Sequence, residues 1–485
     1  MRLLALMLGF AVLATAALGR PPSPASGVLS LTRCAHAYAV RAVCGNYLVF
    51  ENRATRQGRQ IPIVFVLFPA ASKTADDAIL DLSGGPGEAG TDDALDISGL
   101  RAVLATHALL FADIRGTGRS GGLFCNPTLA DPRVPQTLFD EDLFPLRNVL
   151  QCRRNLEKRA DLRQYTSDNA MDDLDDLRQA LGFRTVTLSG GSYGTQAAQV
   201  YIRRHPAAVR AALLTSVASM DFKLPLPFAK VAQSALDGVF ADCRADPPCR
   251  RAFPDPGRDL ATILSRLRSS ALHVSIHLQQ PRRDALITLG PGMFAERLRE
   301  MLYDPKLSHR VPLVLHRAAL GDYQPLAQNL YEIGASFQDP SFAYGLYLSM
   351  TCAEDVAFIR EADIRRDTDG TFAGNSRVRA QQRVCARWHS AAVDGAFLHA
   401  VHATIPVLLI SGTNDPATPP WAAQAVLRGF PNGRLITIPG GTHFTGGPCY
   451  DAMDRALLLT AAPWSVHTSC VGTVNRLPFP ITLAH

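Results

Sequence analysis

The stretch 185–195 limits the possible folds more than any other part of this chain. Its sequence is Thr-Val-Thr-Leu-Ser-Gly-Gly-Ser-Tyr-Gly-Thr. Val186 and Leu188 alternate with β-branched threonines, which predicts a buried strand, and a helical pattern follows over 197–204. The pentapeptide between them fits Gly-x-Ser-x-Gly, a sharp strand-to-helix turn that presents the serine hydroxyl above a sheet. Ser192 is therefore a candidate nucleophile, and the alternative is an ordinary tight turn between a strand and a helix.

The hydrophobic pattern around this turn predicts an α/β fold. We expect strands over 47–51, 61–68, 78–82, 107–112, 211–215, 405–410 and 434–438, and helices over 92–105 and 169–181. Short apolar strands that alternate with helices favour a mostly parallel central sheet with helices on both faces. Residues 125–165 are predicted to be irregular. The mainly helical stretch 221–403 is predicted to be a cap inserted between a first core part, 20–220, and a second, 404–485.

The N-terminus has the form of a secretory signal peptide over residues 1–19. A charged start, Met1-Arg2, precedes an apolar run that continues to Leu18. The alternative is an uncleaved anchor, because the run approaches the shortest length that spans a bilayer. We expect the signal to be cleaved and the mature protein to be secreted or periplasmic, with no stable membrane association.

The ten cysteines of such an exported chain predict disulfide bonds. They fall into neighbours along the sequence, and we expect the pairs Cys34–Cys44, Cys125–Cys152, Cys243–Cys249, Cys352–Cys385 and Cys449–Cys470. The sequence alone leaves other pairings open. A zinc site is the alternative, but the chain has no Cys-x-x-Cys and its histidines do not cluster with the cysteines. No metal site is therefore predicted.

A serine hydroxyl needs a base to take its proton and an acid to orient that base. Asp415 follows the predicted strand 405–410, and His443 follows the strand 434–438. Taken alone, Asp415 has the alternative interpretation of a turn former or helix cap, and His443 that of an ordinary loop histidine. The chain order serine, acid, histidine matches the order known for nucleophile turns of this kind. Together the three residues, Ser192 included, predict a catalytic triad.

Acyl transfer at a serine also needs hydrogen-bond donors for the oxyanion. The backbone N–H of Tyr193 is one candidate, since it directly follows the nucleophile. The second candidate is Gly84 or Gly85 in the glycine-rich turn 83–87, where the backbone can approach a substrate closely. A plain turn is the alternative, and the absence of a Gly-Lys-Ser/Thr ending argues against a phosphate loop.

Several motifs resemble those of α/β-hydrolase peptidases of the proline iminopeptidase and tripeptidyl aminopeptidase type. Residues 83–87, Ser-Gly-Gly-Pro-Gly, resemble a His-Gly-Gly-Pro-Gly turn, and 113–120 resemble an Asp-x-Arg-Gly-x-Gly-x-Ser segment. Residues 190–195 are similar to the Gly-Gly-Ser-Tyr-Gly-Thr turn of the tripeptidyl branch. The iminopeptidases usually carry tryptophan at the position of Tyr193. Cys352-Ala353-Glu354, Cys385-Ala386-Arg387-Trp388 and the pair Cys449 and Cys470 are similar to further elements of the tripeptidyl branch. The resemblance spans about residues 45–475.

This resemblance implies an α/β-hydrolase fold and the removal of single residues or short peptides from free N-termini. Such an enzyme must hold the substrate's ammonium group, and the resemblance makes Glu354 the first candidate and Asp355 the second. An exposed acid of the cap is the alternative interpretation. We expect Asp113 and Arg115 to brace the loops around the oxyanion turn rather than to touch the substrate.

The sequence thus predicts an exported serine hydrolase, most favourably an aminopeptidase that acts through an acyl-enzyme and needs no cofactor. The expected partner is a peptide or small ester, and an esterase is the alternative enzyme. An epoxide hydrolase is disfavoured because that chemistry on this fold needs aspartate at position 192. The alternative from another class is a non-catalytic binding domain. The formal net charge of +6 is spread thinly along the chain, so no nucleic-acid partner is expected.

Overall fold

The computed structural model describes residues 27–72, 76–125, 131, 133–279, 281–474 and 477–483. The predicted signal peptide lies outside these described residues. The strands are β1 (Leu29–Thr32), β2 (Val43–Phe50), β3 (Gln60–Phe68), β4 (Asp77–Leu82), β5 (Ala108–Ala112), β6 (Thr185–Gly191), β7 (Val209–Thr215), β8 (Leu272–Gln279), β9 (Arg282–Leu289), β10 (Val407–Gly412) and β11 (Gly433–Ile438). The helices are α1 (Gly90–Asp93), α2 (Leu146–Glu157), α3 (Ser167–Ala180), α4 (Tyr193–Arg204), α5 (Phe228–Ala245), α6 (Pro247–Ala252), α7 (Pro256–Ser269), α8 (Pro291–Met301), α9 (Pro305–Ala319), α10 (Gln324–Ser336), α11 (Tyr344–Glu354), α12 (Glu361–Thr368), α13 (Ser376–Cys385), α14 (Pro420–Leu427) and α15 (Pro448–Thr460).

Within the described residues, nine strands form one sheet in the order β1-β2-β3-β5-β4-β6-β7-β10-β11. The pairs β1–β2, β2–β3 and β3–β5 are antiparallel. All pairs from β5 across to β11 are parallel, so the predicted mostly parallel sheet is confirmed. Because the carboxyl ends of parallel strands meet at one edge, the turns after β4, β6, β10 and β11 come together there.

The sheet buries both of its faces. Ile79 of β4 packs into one hydrophobic core and its neighbour Leu80 into the other, as the alternation of side chains along a strand requires. Helices α2, α3, α4, α11, α13 and α14 contribute to the core that contains Leu80. Helix α15 and the turns after α1 contribute to the core that contains Ile79.

A third hydrophobic core lies in the segment between β7 and β10. It is formed by α5 to α10 together with the antiparallel β8–β9 hairpin. Helices α11 and α13 lie in the same inserted segment, but they bury Leu348 and Val384 in the core of the sheet. The insertion therefore contains a part with its own core and a part that packs directly on the sheet.

Two predictions of local structure are wrong, and one element was not predicted. The helix expected over 92–105 is reduced to α1 and two 3₁₀ turns, and the Asp96 carboxylate accepts the N–H of Ser98 there at 3.0 Å. Such a local bond competes with helix formation. The region expected to be irregular contains α2, which buries apolar residues at helical spacing. The β8–β9 hairpin was not predicted, although β8 buries every second residue.

The five predicted disulfide pairs are confirmed. Bonds join Cys34 to Cys44, Cys125 to Cys152, Cys243 to Cys249, Cys352 to Cys385 and Cys449 to Cys470. Cys352 lies near the C-terminal end of α11, and Cys385 is the last residue of α13. This bond therefore links the two helices that pack on the sheet core. Among the described residues, no helix combines the length and the apolar character needed to cross a bilayer.

Candidate active site

Ser192 occupies the turn between the end of β6 at Gly191 and the start of α4 at Tyr193. Its φ of +55° and ψ of −122° lie in a region that L-residues rarely adopt. Gly194 is required at its place, because a Cβ there would overlap the carbonyl oxygen of Leu82 at the end of β4. The close packing of this turn on β4 places Ser192 at the carboxyl edge of the sheet.

Asp415 and His443 form a hydrogen-bonded pair at the same edge. Asp415 follows β10 and His443 follows β11, and the imidazole Nδ1 lies 2.9 Å from Asp415 Oδ2 and 3.0 Å from Oδ1. Because Nδ1 faces the carboxylate, Nε2 is the ring nitrogen left for a proton transfer. The Ser216 hydroxyl donates to the His443 carbonyl oxygen at 3.0 Å and so helps to hold the histidine loop.

The Asp415 carboxylate is buried and fully held by hydrogen bonds. The backbone N–H groups of Ala417 and Thr418 each donate to Oδ1 at 2.8 Å, and the Thr418 hydroxyl donates to Oδ2 at 2.8 Å. Burial acts to raise the pKa of Asp415, but the interaction with His443 and the donated hydrogen bonds outweigh it and lower that pKa. Asp415 is therefore ionised at neutral pH and can stabilise an imidazolium.

Ser192 and His443 line one cavity of about 830 Å³ between the sheet edge and the inserted segment. Aromatic side chains form much of its wall: Phe144, Phe228, Phe337, Phe342, Tyr344 and Phe444. The cavity thus combines the candidate nucleophile and base with a partly aromatic wall, as is common for small-molecule and peptide sites.

A buried network of arginines and glutamates forms the cap side of the cavity. The Glu296 carboxylate accepts hydrogen bonds from Arg299 at 2.7 Å and from Arg377 at 2.8 Å, and Arg297 donates to Glu300 at 2.6 Å. Burial opposes ionisation of Glu296, but the arginines outweigh it and lower its pKa to about 2. The pair Arg377–Glu296 joins α13 to α8, and breaking it would leave a buried charge without its partner.

The glycine-rich turn after β4 places its two candidate oxyanion donors in different environments. The Gly84 N–H donates to the Glu88 carboxylate at 3.0 Å. Gly85, with φ of +109°, and Tyr193 both line the cavity. Neither of their N–H groups has an acceptor among the described residues. Of the donors expected from the sequence, Gly85 and Tyr193 are thus the pair available to an oxyanion.

Several carboxylates lie beside this turn and face the cavity. The Ser83 hydroxyl donates to Asp93 Oδ2 at 2.8 Å, and Glu88 receives the Gly84 N–H. Desolvation and then the nearby charge of Asp93 raise the pKa values of Glu88 and Asp81. Neighbouring carboxylates that repel one another favour a cation between them. In the part of the chain that the structure describes, no cluster of acids, histidines and cysteines has the arrangement of a metal site.

Glu354 and Asp355 do not lie on the cavity wall, in contrast to the expectation that one of them contacts the substrate. Glu354 is 4% exposed, and Ser167 donates to it with both its N–H and its hydroxyl at 2.6 Å. The reason is that the C-terminal end of α11 packs against the start of α3, behind Tyr193. Asp113 acts as expected, because it accepts the N–H of Thr91 at 2.9 Å and so fixes the segment after the oxyanion turn.

Two residues beside the histidine were not found from the sequence. Tyr303, which follows α8, packs its ring edge-on against the His443 ring with centroids 4.8 Å apart. Thr418 holds Asp415, and its position three residues after an aspartate is a common spacing for such local bonds, so that this contact was open to prediction. The contact of Tyr303 joins positions 140 apart, and no sequence signal points to it.

A sequence model of the alpha/beta hydrolase fold family matches residues 95–446. The chain is 25% identical over 458 residues to serine protease Hip1 of Mycobacterium tuberculosis, covering 86% of this chain and 85% of that protein. It is 28% identical over 225 residues to the putative hydrolase YuaR of Escherichia coli, covering 43% of each.

Solved structures that match this chain include a proline iminopeptidase-related protein from Thermus thermophilus. It has a TM-score of 0.38 and 16% sequence identity, and the match covers 87% of this chain and 99% of that chain. An esterase from Thermogutta terrifontis has a TM-score of 0.36 and 14% identity over 87% of this chain and 99% of that chain. The family match covers most of the chain and includes Ser192, Asp415 and His443. This protein therefore belongs to the alpha/beta hydrolase fold family.

Proposed function

We propose that this protein is an exported serine hydrolase of the aminopeptidase type. The observation that carries the proposal is the hydrogen-bonded pair Asp415–His443 on the same cavity edge as Ser192 in its strained turn. Similarity to a protein named as a serine protease supports the same reaction class. Export is proposed from the apolar N-terminus and is supported by the five disulfide bonds, which persist in oxidising compartments.

In this mechanism Ser192 Oγ attacks the substrate carbonyl while His443 Nε2 takes its proton. Asp415 holds the imidazole in the tautomer with a proton on Nδ1 and stabilises the positive charge that forms. The N–H groups of Tyr193 and Gly85 donate to the oxyanion. His443 then protonates the leaving amine, and an attacking water, deprotonated by the same histidine, releases the acyl group from Ser192.

A fluorophosphonate probe tests the nucleophile. We expect the wild-type enzyme and Ser341→Ala to be labelled and Ser192→Ala to remain unlabelled. Ser341 is the matched control because it lines the same cavity, where its hydroxyl donates to Asp339. Equal labelling of Ser192→Ala would contradict the proposed nucleophile, and an unlabelled wild type would favour a binding domain without catalysis.

The aminopeptidase specificity is proposed from the carboxylates beside the oxyanion turn. Glu88 and Asp93 face the cavity next to Ser83 and Gly84, where the scissile carbonyl of a substrate would lie. A protonated α-amino group one residue away from that carbonyl would relieve the repulsion between these acids. We therefore assign the recognition of the free amino terminus to Glu88 and Asp93 instead of Glu354.

Matched substrates with free and acetylated amino ends test this specificity. We expect Glu88→Gln to raise KM about tenfold for a free peptide anilide, the typical effect of losing one ionic contact, and to leave an acetylated p-nitrophenyl ester unchanged. Asp142→Asn is the control, since Asp142 lines the cavity but already pairs with Arg383 at 3.0 Å. If acetylation of the peptide leaves its turnover unchanged, the enzyme is an esterase or an endopeptidase.

A further inference from the structure

A buried chain of hydrogen bonds connects Glu354 to the residue that follows the nucleophile. Glu354, the last residue of α11, accepts the Ser167 N–H with Oε1 and the Ser167 hydroxyl with Oε2, both at 2.6 Å. The same Ser167 hydroxyl lies 2.7 Å from the hydroxyl of Tyr193. All three side chains are at most 6% exposed, so water does not compete for these bonds.

The direction of this chain follows from the number of available protons. When Glu354 is ionised it only accepts hydrogen bonds, so Ser167 then donates its single hydroxyl proton to the carboxylate. The Ser167 oxygen must then accept from Tyr193, whose O–H is the donor at the far end. Met350, one turn before Glu354 on α11, lies 3.3 Å from the same tyrosine hydroxyl with its Sδ. The hydroxyl of Tyr193 is thus held between α3 and α11.

These contacts restrain the backbone as well as the side chain of Tyr193. It is the first residue of α4, and a single peptide unit separates it from Ser192. Its ring runs from the turn to the buried contact with Ser167, so a shift of the ring moves its Cα and the N–H group attached to it. A misplacement of about 1 Å in a catalytic group can cost about 10²-fold in rate, so the position of an oxyanion donor has to be held closely.

The burial of Glu354 near other carboxylates costs free energy of folding, which indicates a functional reason for its position. Burial raises the pKa of Glu354 to about 7, and only the two bonds from Ser167 act against it. The nearby carboxylates of Asp168 and Asp355 are of the same sign. Glu354 neither lines the cavity nor belongs to the proposed triad. Among the described residues no Lys, Arg or His pairs with it, which is rare for a carboxylate in a protein interior.

We propose that Glu354 and Ser167 are positioning residues that fix the oxyanion donor of this enzyme through the hydroxyl of Tyr193. The role rests on the proposed function, in which the Tyr193 N–H stabilises the oxyanion formed at Ser192. It differs from the ammonium-binding role that the family resemblance implied for Glu354, because Glu354 acts here from behind the turn and never touches the substrate.

The test compares Tyr193→Phe, Ser167→Ala and Glu354→Gln in the full-length enzyme, below the melting temperature of every variant. We expect kcat for a p-nitrophenyl ester to fall about tenfold in each, less than the 100-fold or more caused by removal of a donor, with KM within twofold. Affinity for an alkyl boronic acid, which mimics the tetrahedral intermediate, falls by the same factor as kcat/KM. In the double variant Ser167→Ala/Tyr193→Phe, kcat falls no further than in the less active of the two single variants, since the two residues act as one unit.

Tyr201→Phe is the matched control. Tyr201 lies on the same helix, is equally buried and donates its hydroxyl to Asp175 at 2.8 Å, but it is eight residues further from the turn. We expect it to lower thermal stability as much as Tyr193→Phe does and to leave kcat unchanged. If Glu354→Gln fails to fold, Ser167→Ala and Tyr193→Phe decide the question.

The outcomes separate this inference from the proposed function. If Ser192 is labelled by a fluorophosphonate and the variants keep kcat within twofold of wild type, Glu354 has only a structural role and the inference is wrong. The same conclusion follows if Tyr201→Phe lowers kcat equally, because any loss of packing would then suffice. If the wild-type enzyme is not labelled at all, the proposed function fails first.

Discussion

At the scale of single residues, the hydrogen bonds of Asp415 determine which nitrogen of His443 carries a proton. We expect Asp415→Asn to lower kcat by about 10⁴, because the asparagine amide would donate to Nδ1 and force the proton onto Nε2. That tautomer cannot accept the proton of Ser192. The measurement is kcat for an ester together with the rate of fluorophosphonate labelling.

Asp242→Asn is a suitable control for this prediction. Asp242 accepts a hydrogen bond from Asn414, the neighbour of Asp415, at 2.9 Å, but it does not contact the histidine. A fall of less than tenfold for Asp415→Asn would contradict the role of Asp415 in the triad. A similar fall for Asp242→Asn would assign the effect to the loop as a whole.

The buried Glu354 predicts a dependence of stability on pH. Its pKa is about 7 in the folded protein against an ordinary value of 4.5, so the folded state favours the protonated form. The stabilisation is present below about pH 4.5 and is lost as the pH rises through about 7. We expect Glu354→Gln to reduce the loss of unfolding free energy between pH 5 and pH 9 by about 3 kcal/mol, from the difference of the two pKa values.

Urea unfolding of both proteins at several pH values measures this difference. Asp355 also has a raised pKa, but it is present in both proteins, so the comparison isolates Glu354. Parallel pH profiles for the wild type and Glu354→Gln would show that Glu354 ionises in the folded protein as it does in water.

At the scale of elements, the strand–turn–helix unit around Ser192 depends on a close approach to β4. We expect Gly194→Ala to destabilise the protein by more than about 2 kcal/mol and to abolish labelling, because the new Cβ would overlap the carbonyl of Leu82. Gly472→Ala is the control, since a Cβ there meets open space and the backbone is not strained. Thermal unfolding and labelling measure the two effects, and normal labelling of Gly194→Ala would contradict the prediction.

Most elements of the sheet were predictable because each carries its own signal. The apolar runs that became β3, β4, β10 and β11 were predicted to within a few residues. In β4 and β10 both faces are buried, so few positions are polar. The prediction of one helix over 92–105 was wrong, because local hydrogen bonds and Gly99 compete with helix formation there. Helix propensity alone does not show which of these conformations is more stable. The β8–β9 hairpin was missed although the alternation of β8 was present in the sequence.

At the scale of the whole molecule, the inserted segment with its own core meets the sheet around the active-site cavity. Tyr303 forms one of these contacts, with its ring against His443 and its carbonyl oxygen accepting the N–H of Phe444 at 2.9 Å. Arg299 donates to the Tyr303 hydroxyl at 2.7 Å and so links the ring to the buried arginine network. The inserted segment therefore contacts the candidate base directly.

We expect Tyr303→Leu to lower kcat about tenfold, because the His443 ring loses its aromatic neighbour and gains freedom to rotate away from Ser192. Tyr303→Phe keeps the ring and is expected to retain most of the activity. Tyr323→Leu is the control, since Tyr323 lies in the cap and contacts Arg266 far from the cavity. Steady-state kinetics of the three variants measure the effect, and equal activity of Tyr303→Leu and Tyr323→Leu would contradict it.

The sequence by itself determined the class of fold and the candidates Ser192, Asp415 and His443, and it predicted the disulfide pairs that the structure then confirmed. Each of these follows from a local pattern: an alternation of apolar residues, neighbouring cysteines, or a polar residue at the end of a strand. Only the tertiary structure decided that Gly85 rather than Gly84 has a free donor, and that Glu354 lies behind the turn while Glu88 faces the cavity. Those facts depend on contacts between elements more than a hundred residues apart or on the direction of a single backbone amide, which no local pattern encodes.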